Sequence, residues 1–489
     1  MEEMNTTLAP LIELCDEDDV IQPDMPKADM DLPGLNHADL ALDFLASEYG
    51  KNFYRVYDIP TKPVASWTGT RWVIADDTEL LRSSVRDYLN RLHASLPPPE
   101  KGRDYRAKLK SAPFCRDVTT EALIKLTPIR QEMFDRNEYL LGLNNGTVAD
   151  LRSGTIRPMQ LEDFISRRIY IQPNVDMFTP RWSQFLDEIT LSNAELQTFL
   201  ERLCALCLTA HPFQGLFFFW GKGRNGKGVL LRLLAYILGR GLTATFRPNE
   251  LTVSRYDEDK ARRSFNKLEG ARLATVDESL GSNLNLQILK LMSGGDTLSA
   301  ARMRQDDRQF TPSHKLVLPT NEKPELPNDP AFQGRTYFVP FLADFRDRSK
   351  QDPKLEATLR AEAPGILARL IALCPDVIAN GLQAPKTVTD ATAELLEEND
   401  VAKQFQEDML IDAPGQNVSF DAMESAVNTW LMGGTCRGLA VRANGSNRQA
   451  ERIMAELKAR YIYKRLRPDG NRNRRVYFFL NVTLREEEK

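Results

Sequence analysis

Residues 216–238 read LFFFWGKGRNGKGVLLRLLAYIL, and the reading of this stretch decides the fold. The five apolar residues Leu216 to Trp220 make an apolar run of strand length, and the glycine-rich run after them opens directly into an amphipathic segment. Gly239 then stands where a helix C-cap would. Strand, glycine turn and helix in this order predict an α/β core. Within the turn, Gly221, Gly226 and Lys227 satisfy G-x-x-x-x-G-K. Such a loop needs glycines so that backbone N–H groups can close on phosphate oxygens, and a lysine whose ammonium reaches the β and γ phosphates at the helix N-terminus. Gly223 and Asn225 lie in the same turn and are expected to share the nucleotide contact. The next position ordinarily carries Ser or Thr, whose hydroxyl ligates Mg²⁺, but here it is Gly228.

Gly221, Gly223 and Gly226 also spell G-x-G-x-x-G, the dinucleotide-binding turn. That reading wants an acidic residue about 20 positions on, at the end of a second strand. The chain offers Glu250 there, in polar, proline-broken surroundings.

The remaining composition bounds the answer. At 489 residues the chain has room for two to four domains of about 100 to 200 residues. Hydrophobic content of 42% and charged content of 27% describe a globular protein. No apolar run approaches the roughly 20 residues of a membrane span, and the acidic start MEEMNTTLAP is unlike a signal peptide, so an intracellular protein without membrane contact is expected. Cys204-x-x-Cys207 with His211 nearby lacks a second Cys/His pair and reads as core cysteines in an apolar helix rather than a metal site. A net charge of −4 hides an uneven distribution.

Residues 1–35 are acidic and read as a solvated arm; the pair Asp29 and Asp31 has too little chain before it to belong to a primase domain. Residues 36–190 form an α+β amino-terminal region in this reading, with a helix after Asn36, a hairpin at Trp67–Trp72 around Gly69, and a helix capped by Thr78. Pro97–Arg116 reads as a linker or exposed loop. Asn145-Gly146 and Ser153-Gly154 mark turns between short strands, and Thr179-Pro180 begins a helix. Ser192 with Glu195 predicts a capping box for a long apolar helix through Ala210.

Downstream, RLATVDES (272–279) is a buried strand ending in Asp277 and Glu278. An ATPase requires this pair: one acid holds Mg²⁺, often through water, and the next polarises the attacking water. KLMSGGDTLSAARMRQDDRQF (290–310) has strand-like halves on either side of Gln305-Asp306-Asp307, and KLVLPTN (315–321) is another buried strand ending in a polar pair suited to sensing a γ-phosphate. Gly334-Arg335 then precedes the apolar strand Tyr337 to Phe341.

This order of motifs resembles the superfamily 3 helicases, in the phage and plasmid primase-helicase group that includes the poxvirus primase-helicase. The resemblance spans roughly Leu216 to Leu342, with GLNNGTVADLRSGTIRP and PRWSQFLDEI before it and DPKLEATLRAEAPGILARLI after it. It implies an AAA+ P-loop core (191–345) completed by a helical segment (346–411), with ATP and Mg²⁺ as cofactors. It assigns Lys227 to the phosphates, Asp277 and Glu278 to the Walker B role with Asp277 on the metal, and Asn321 to sensor 1. Arg335 becomes an arginine finger acting in a neighbouring subunit, although Phe332-Gln333-Gly334-Arg335 lacks the second arginine and tryptophan that often precede it. Such proteins form rings, usually hexamers, that move 3′ to 5′ on single-stranded DNA. Arg304 and Arg308 fall on the hairpin that would enter the channel.

The last segment, 412–489, begins at the apparent boundary Asp412-Ala-Pro-Gly-Gln and continues as a helix from Ser419, a glycine loop, a helix from Ser446 and a hairpin closing at Asp469-Gly470, an order that suits a winged helix. Twelve Lys or Arg stand between Arg437 and Arg475. Lys464, Arg465, Arg467, Arg472, Arg474 and Arg475 are expected on the phosphates of duplex or origin DNA. Function is thus expected as an ATP-dependent replication helicase of a mobile element in a bacterial host's cytoplasm, relying on a separate primase or polymerase. A DNA-binding initiator that uses ATP without unwinding is the alternative.

Overall fold

The structure, a computed structural model, describes residues 36–57, 64–75, 77–98, 104–252, 262–276, 280, 284–300, 308–326, 330–347, 349, 351–432, 446–466 and 476–485. The acidic arm 1–35, with Asp29 and Asp31, lies outside the described residues. The chain divides into two compact units, Met1–Arg136 with Pro158–Ser166, and Asn137–Arg157 with Arg167–Lys489.

In the first unit, helices His37–Ala46, Glu79–Ser95 and Ala112–Lys125 pack around Phe44, Leu81, Val85 and Val118. Beside them lies a four-stranded sheet in the order Trp72–Ala75, Val64–Trp67, Phe53–Val56, Pro128–Ile129. Trp67 pairs with Trp72 across the predicted hairpin, and Gly69 takes the left-handed backbone its turn requires (φ 86°). Asn36 caps the first helix by accepting from the Asp39 N–H at 2.8 Å. Thr78 occupies its predicted N-cap position, but its hydroxyl makes no capping bond. The linker reading of Pro97–Arg116 is overturned in its second half. Tyr105–Lys110 is a 3₁₀ turn, and Ser111 caps the helix from Ala112. The basic residues there conceal Leu109, Phe114 and Cys115, whose burial supplies the reason to fold.

The second unit is built on five parallel strands: β1 Leu216–Trp220, β2 Thr243–Phe246, β3 Leu273–Val276, β4 Lys315–Thr320 and β5 Thr336–Pro340. Their spatial order is β5-β1-β4-β3-β2. β1 is hydrogen-bonded on both edges, so each face of it must be covered as well. Phe217 and Phe219 point into one apolar layer with helices α1 (Ala194–Leu206), α2 (Lys227–Leu238) and α3 (Ala363–Asn380). Leu216 and Phe218 point into the other, against Ile288, Leu289, Met292 and Leu395. The uninterrupted apolar run of β1 follows from this double burial. By length and composition α3 alone among the described helices could cross a membrane, yet half of it is buried, with Ile366, Leu370 and Ile371 in the layer it shares with α1.

The capping box predicted at Ser192 and Glu195 does not form. Asn193 caps α1 instead, accepting from the Leu196 N–H at 3.0 Å. Leu191 and Ser192 both adopt left-handed backbone (φ 53° and 62°) to turn the chain sharply out of the preceding helix, Pro180–Thr190. α1 also ends at Leu206 rather than Ala210. Carbonyls just beyond its end, together with those of Ser313 and Leu140, are met by two buried side chains at the start of the sheet. Lys315 Nζ donates to Thr209 O (2.7 Å), His211 O (2.9 Å) and Ser313 O (3.1 Å). The Arg272 guanidinium donates to Leu208 O and, at 2.7 Å, to Leu140 O. Cys204 and Cys207 are buried as read, and His211 turns to Glu138 and Tyr139.

The carboxy-terminal part runs helix Val401–Met409, strand Leu410–Ser419, helices Phe420–Met432 and Ser446–Arg460, then strands Tyr463–Leu466 and Val476–Leu484. The three strands form one antiparallel sheet with Val476–Leu484 in the centre. Phe405, Met423, Trp430, Leu457 and Phe479 make its core. Asp412-Ala-Pro-Gly-Gln, read as a boundary, instead lies inside the first strand. The register shifts there between Asp412 and Asn417, and Gly415 takes φ 85°. A bulge accommodates the proline and glycine that looked like linker residues.

Burial pulls the Lys315 ammonium from its ordinary 10.5 down to about 7. Between those values the unfolded chain holds a proton that the folded chain has released, so raising the pH through this window favours folding. Wild-type protein should therefore gain stability relative to Lys315→Met as pH rises from about 7 to about 10. Urea midpoints of the two proteins measured across that range test this, and a difference that stays flat contradicts it.

Candidate functional site

At its carboxy end β1 delivers the chain into the glycine turn, whose first amide, Gly221 N–H, donates to Thr320 O of β4 at 3.1 Å. Gly223, Arg224 and Gly226 all take left-handed backbone (φ 89°, 49° and 88°). The turn has no room for side chains at two of its glycines. A Cβ on Gly221 would collide with the Asn225 amide and lie 2.5 Å from Phe341 O, and one on Gly226 would run into Ile189. Asn225 is buried and donates to Phe341 O at 3.1 Å, so its side chain braces the loop against the chain leaving β5. The Phe345 N–H supports the same loop by donating to Arg224 O at 2.8 Å.

Lys227, the first residue of α2, is only 4% exposed. Its ammonium donates to Gly221 O at 2.7 Å and to Asn321 Oδ1 at 2.9 Å, with Asn225 Oδ1 at 3.4 Å. Burial holds its pKa below the ordinary lysine value. Loop, lysine and the tip of β4 thus converge. The twelve-residue α2 puts the positive end of its dipole at this turn.

Gly228 sits inside α2 with no positive φ, and a Cβ there would meet only the Arg232 guanidinium, at 3.1 Å. Its backbone does not demand glycine. Arg232 is itself held by Glu356 (Nε to Oε1 2.7 Å). The missing hydroxyl is therefore a chemical absence rather than a steric necessity.

β3 ends at Val276, between β4 and β2 on the same edge of the sheet as the glycine turn. Asp277 and Glu278 follow immediately in sequence and lie outside the described residues. So do Arg304, Arg467, Arg472, Arg474 and Arg475. The hairpin expected around Gln305 is present in its paired strands, Leu298–Ala300 against Arg308–Phe310, with the Arg308 side chain outside the description. Lys464 and Arg465 are exposed on the strand Tyr463–Leu466.

Arg335 stands apart from the glycine turn. It precedes β5, and its carbonyl accepts from Leu216 N–H, at the opposite end of the sheet. Five strand residues at about 3.3 Å each separate the two ends by roughly 17 Å. Its guanidinium lies by Gly294 and Asp296 at the base of the hairpin. The fold therefore keeps Arg335 from Lys227 of its own chain.

A strap behind Asn321 was not legible in the sequence. Lys323 pairs with Glu398 at 2.7 Å and Glu394 at 3.3 Å, and its ammonium lies 5.7 Å from the Trp220 ring centroid at the end of β1. Leu326 N–H donates to Asn399 Oδ1 at 2.9 Å, and Leu326 O accepts from Arg452 at 2.7 Å. These partners are 71 to 126 residues apart in the chain, and no local pattern announces them.

Residues 43–191 match the family described as "D5 N terminal like", and residues 219–335 match a family of unknown function, DUF5906. A "Putative helicase" of Acanthamoeba polyphaga mimivirus is 28% identical over 303 residues, covering 57% of this chain and 31% of that protein. A "Putative helicase" of Invertebrate iridescent virus 3 is 26% identical, covering 45% and 24%. A "Putative primase" of African swine fever virus is 28% identical, covering 39% and 20%. The chain thus spans about a third or less of the length of these relatives. Among solved structures, the apo C terminal region of NrS-1 (305-718) aligns at 10% identity with a TM-score of 0.49, over 92% of this chain and 100% of that one, a likeness too distant to assign chemistry. The amino-terminal match and the viral relatives make parts of this chain similar to D5-like primase-helicases, in line with the superfamily 3 group that the motifs resemble.

The packing at Gly221 makes a ranked prediction. Gly221→Ala forces the Asn225 amide off Phe341 O and should cost about 1–3 kcal/mol of stability. Gly223→Ala, which meets open space and suffers only its positive φ, should cost about 1–2 kcal/mol. Denaturant titration of the two variants reads the order, and Gly223→Ala proving the worse would refute the packing argument.

Proposed function

We propose, from this D5-like kinship, that the chain is the ATP-driven motor of a DNA replication helicase. The observation that carries the reading is the Lys227 ammonium, held by Gly221 O and Asn321 Oδ1 between a glycine turn and the tip of β4. The strand order β5-β1-β4-β3-β2, with the glycine turn after β1, favours an AAA+ P-loop core. The relatives named as helicases and primases support a role in copying DNA.

In this reading Lys227 leaves its carbonyl and amide partners to take the β and γ phosphates of ATP, loop amides beyond Gly223 close on them, and Asn321, freed from the lysine, senses the γ-phosphate. The narrow glycine cradle fits a phosphate chain. Mg²⁺, when bound, neutralises the developing phosphate charge. Asp277 is the residue assigned to hold it, through water where needed, and Ser279 is the nearby hydroxyl that could stand in for the one Gly228 lacks. Glu278 takes the role of base toward the attacking water. Arg335, remote from its own glycine turn, would complete a neighbour's site, which requires a ring, most simply a hexamer. Arg304 and Arg308 would then line a channel holding single-stranded DNA, with 3′ to 5′ movement. The order of helices and strands after Val401 favours a winged helix for duplex or origin DNA, and priming would come from a separate primase or polymerase. Such a motor works inside the cell that copies the element's DNA; the bacterial host rests on the resemblance alone.

Lys227→Ala should lower ATP hydrolysis by on the order of a hundredfold or more. Mixing Lys227→Ala with Arg335→Ala subunits should restore part of it, because some interfaces then pair an intact lysine with an intact arginine. If mixed rings form and no ratio restores activity, Arg335 does not act between subunits. Strand displacement on a forked duplex separates a motor from an ATP-regulated initiator that does not unwind.

A further inference from the structure

The basic carboxy-terminal region divides into two groups once its contacts are known. Arg452 and Arg460 are committed to the fold. Arg452 pairs with Glu456 and donates to Leu326 O, and Arg460 pairs with Asp400 and Glu456. Lys458 and Arg465 differ. Among the described residues no carboxylate pairs with either, and both rest on aromatic rings. The Lys458 ammonium lies 4.7 Å from the Phe420 ring centroid and 5.4 Å from that of Tyr463, and the Arg465 guanidinium lies 5.7 Å from that of Tyr477.

The rings form a continuous array. Tyr463 and Tyr477 stack at 4.9 Å with planes 11° apart, and Phe420 lies 6.4 Å from Tyr463. The pairing register explains the arrangement. Tyr463 faces Phe479 and Arg465 faces Tyr477 across the hairpin, so strand alternation puts all four on one face. Phe479 anchors that face in the core, while Tyr477, two residues toward the turn, is 45% exposed. A tyrosine stack exposed at Tyr477 and flanked by cations with no carboxylate partner among the described residues is poorly explained by folding alone. A cation buttressed by a ring costs little to leave without a carboxylate, and it stays available to an incoming anion. Asp421, whose charge reaches Tyr463, lies on the Phe420 side of the array.

We propose that this face binds unpaired single-stranded DNA, with a base stacked on Tyr477 and the backbone phosphates neutralised by Lys458 and Arg465. Base and ring offer each other π-faces whatever the sequence, and the two cations flank the tyrosine pair, Lys458 beside Tyr463 and Arg465 beside Tyr477, where a strand running across it would bring its phosphates. Duplex DNA keeps its bases stacked inside and offers Tyr477 nothing. The face is thus set apart from a purely phosphate-binding wing. The inference rests on the DNA-handling reading above for its choice of polymer, and not on the ATP site.

The experiment measures fluorescence anisotropy of a labelled twenty-nucleotide oligothymidylate and of a blunt twenty-base-pair duplex with the full-length chain, without nucleotide, at several salt concentrations. Tyr477→Ala should weaken oligothymidylate binding about tenfold while leaving duplex binding within about twofold, and Tyr477→Phe should retain wild-type affinity. The Lys458→Ala, Arg465→Ala double variant leaves the ring stack in place. It should flatten the dependence of log Kd on log salt for the single strand by about 1.4, the value for two phosphate contacts. Equal effects of Tyr477→Ala on both polymers, no effect on either, or an unchanged salt slope in the double variant would overturn the proposal. Wild-type protein that binds neither polymer would overturn the DNA-handling reading itself, a result distinct from a Tyr477 variant that binds normally.

Discussion

A nearly buried ammonium has to be surrounded by oxygen, and at Lys227 that requirement ties three separate stretches of chain together. Gly221 O comes from the turn just before the lysine, Asn225 Oδ1 from the loop, and Asn321 Oδ1 from the end of β4, 94 residues later. The lysine can reach all three only because β1 and β4 are neighbours in a parallel sheet and end on the same edge. The geometry of the candidate site therefore depends on sheet order, and sheet order depends in turn on burying β1 on both faces. A glycine-rich loop without that scaffold would leave the ammonium in water.

The opposite edge of the sheet carries a matching constraint. Lys315 and Arg272 sit at the beginnings of β4 and β3 and satisfy carbonyls in the segment that follows α1, so the chain entering β1 is fastened to residues 64 to 106 positions further on. A buried polar group that loses such partners is expensive. The two edges thus use lysines differently. Lys227 has oxygens it could exchange for those of a phosphate, whereas Lys315 is enclosed by main-chain carbonyls and one hydroxyl with no exposure to solvent. The strap from Lys323 to Leu326 joins the first edge to helix Lys386–Asn399 and to Arg452.

Much of this was legible locally. Period and punctuation placed β1 and α2, the turns at Gly69, Gly146 and Gly154, and the terminal hairpin, because each of these features is decided within a few residues. The misreadings share a cause. Pro97–Arg116 and Asp412–Gln416 carry linker composition, yet buried neighbours such as Leu109 and Phe114 in the first case, and pairing with Val476–Leu484 in the second, draw them into regular structure. Ser192 lost the cap of α1 to Asn193 because the chain turns there in left-handed backbone and the Ser192 hydroxyl is given to Asp187.

For the site, the sequence alone determined which chemistry was available: glycines that admit a tight turn, a lysine beyond them, a polar tip on a later strand, and an arginine before the last strand. Those identities are local, and each can be read without coordinates. The tertiary structure decided which of them meet. It brought Asn321 to Lys227, set Arg335 at the far end of the sheet, gave Asn225 a bracing role, and divided the carboxy-terminal cations between carboxylates and tyrosine rings. The physical reason is that strand order, and the alternation of faces within each strand, fix distances between residues that the chain separates by tens or hundreds of positions.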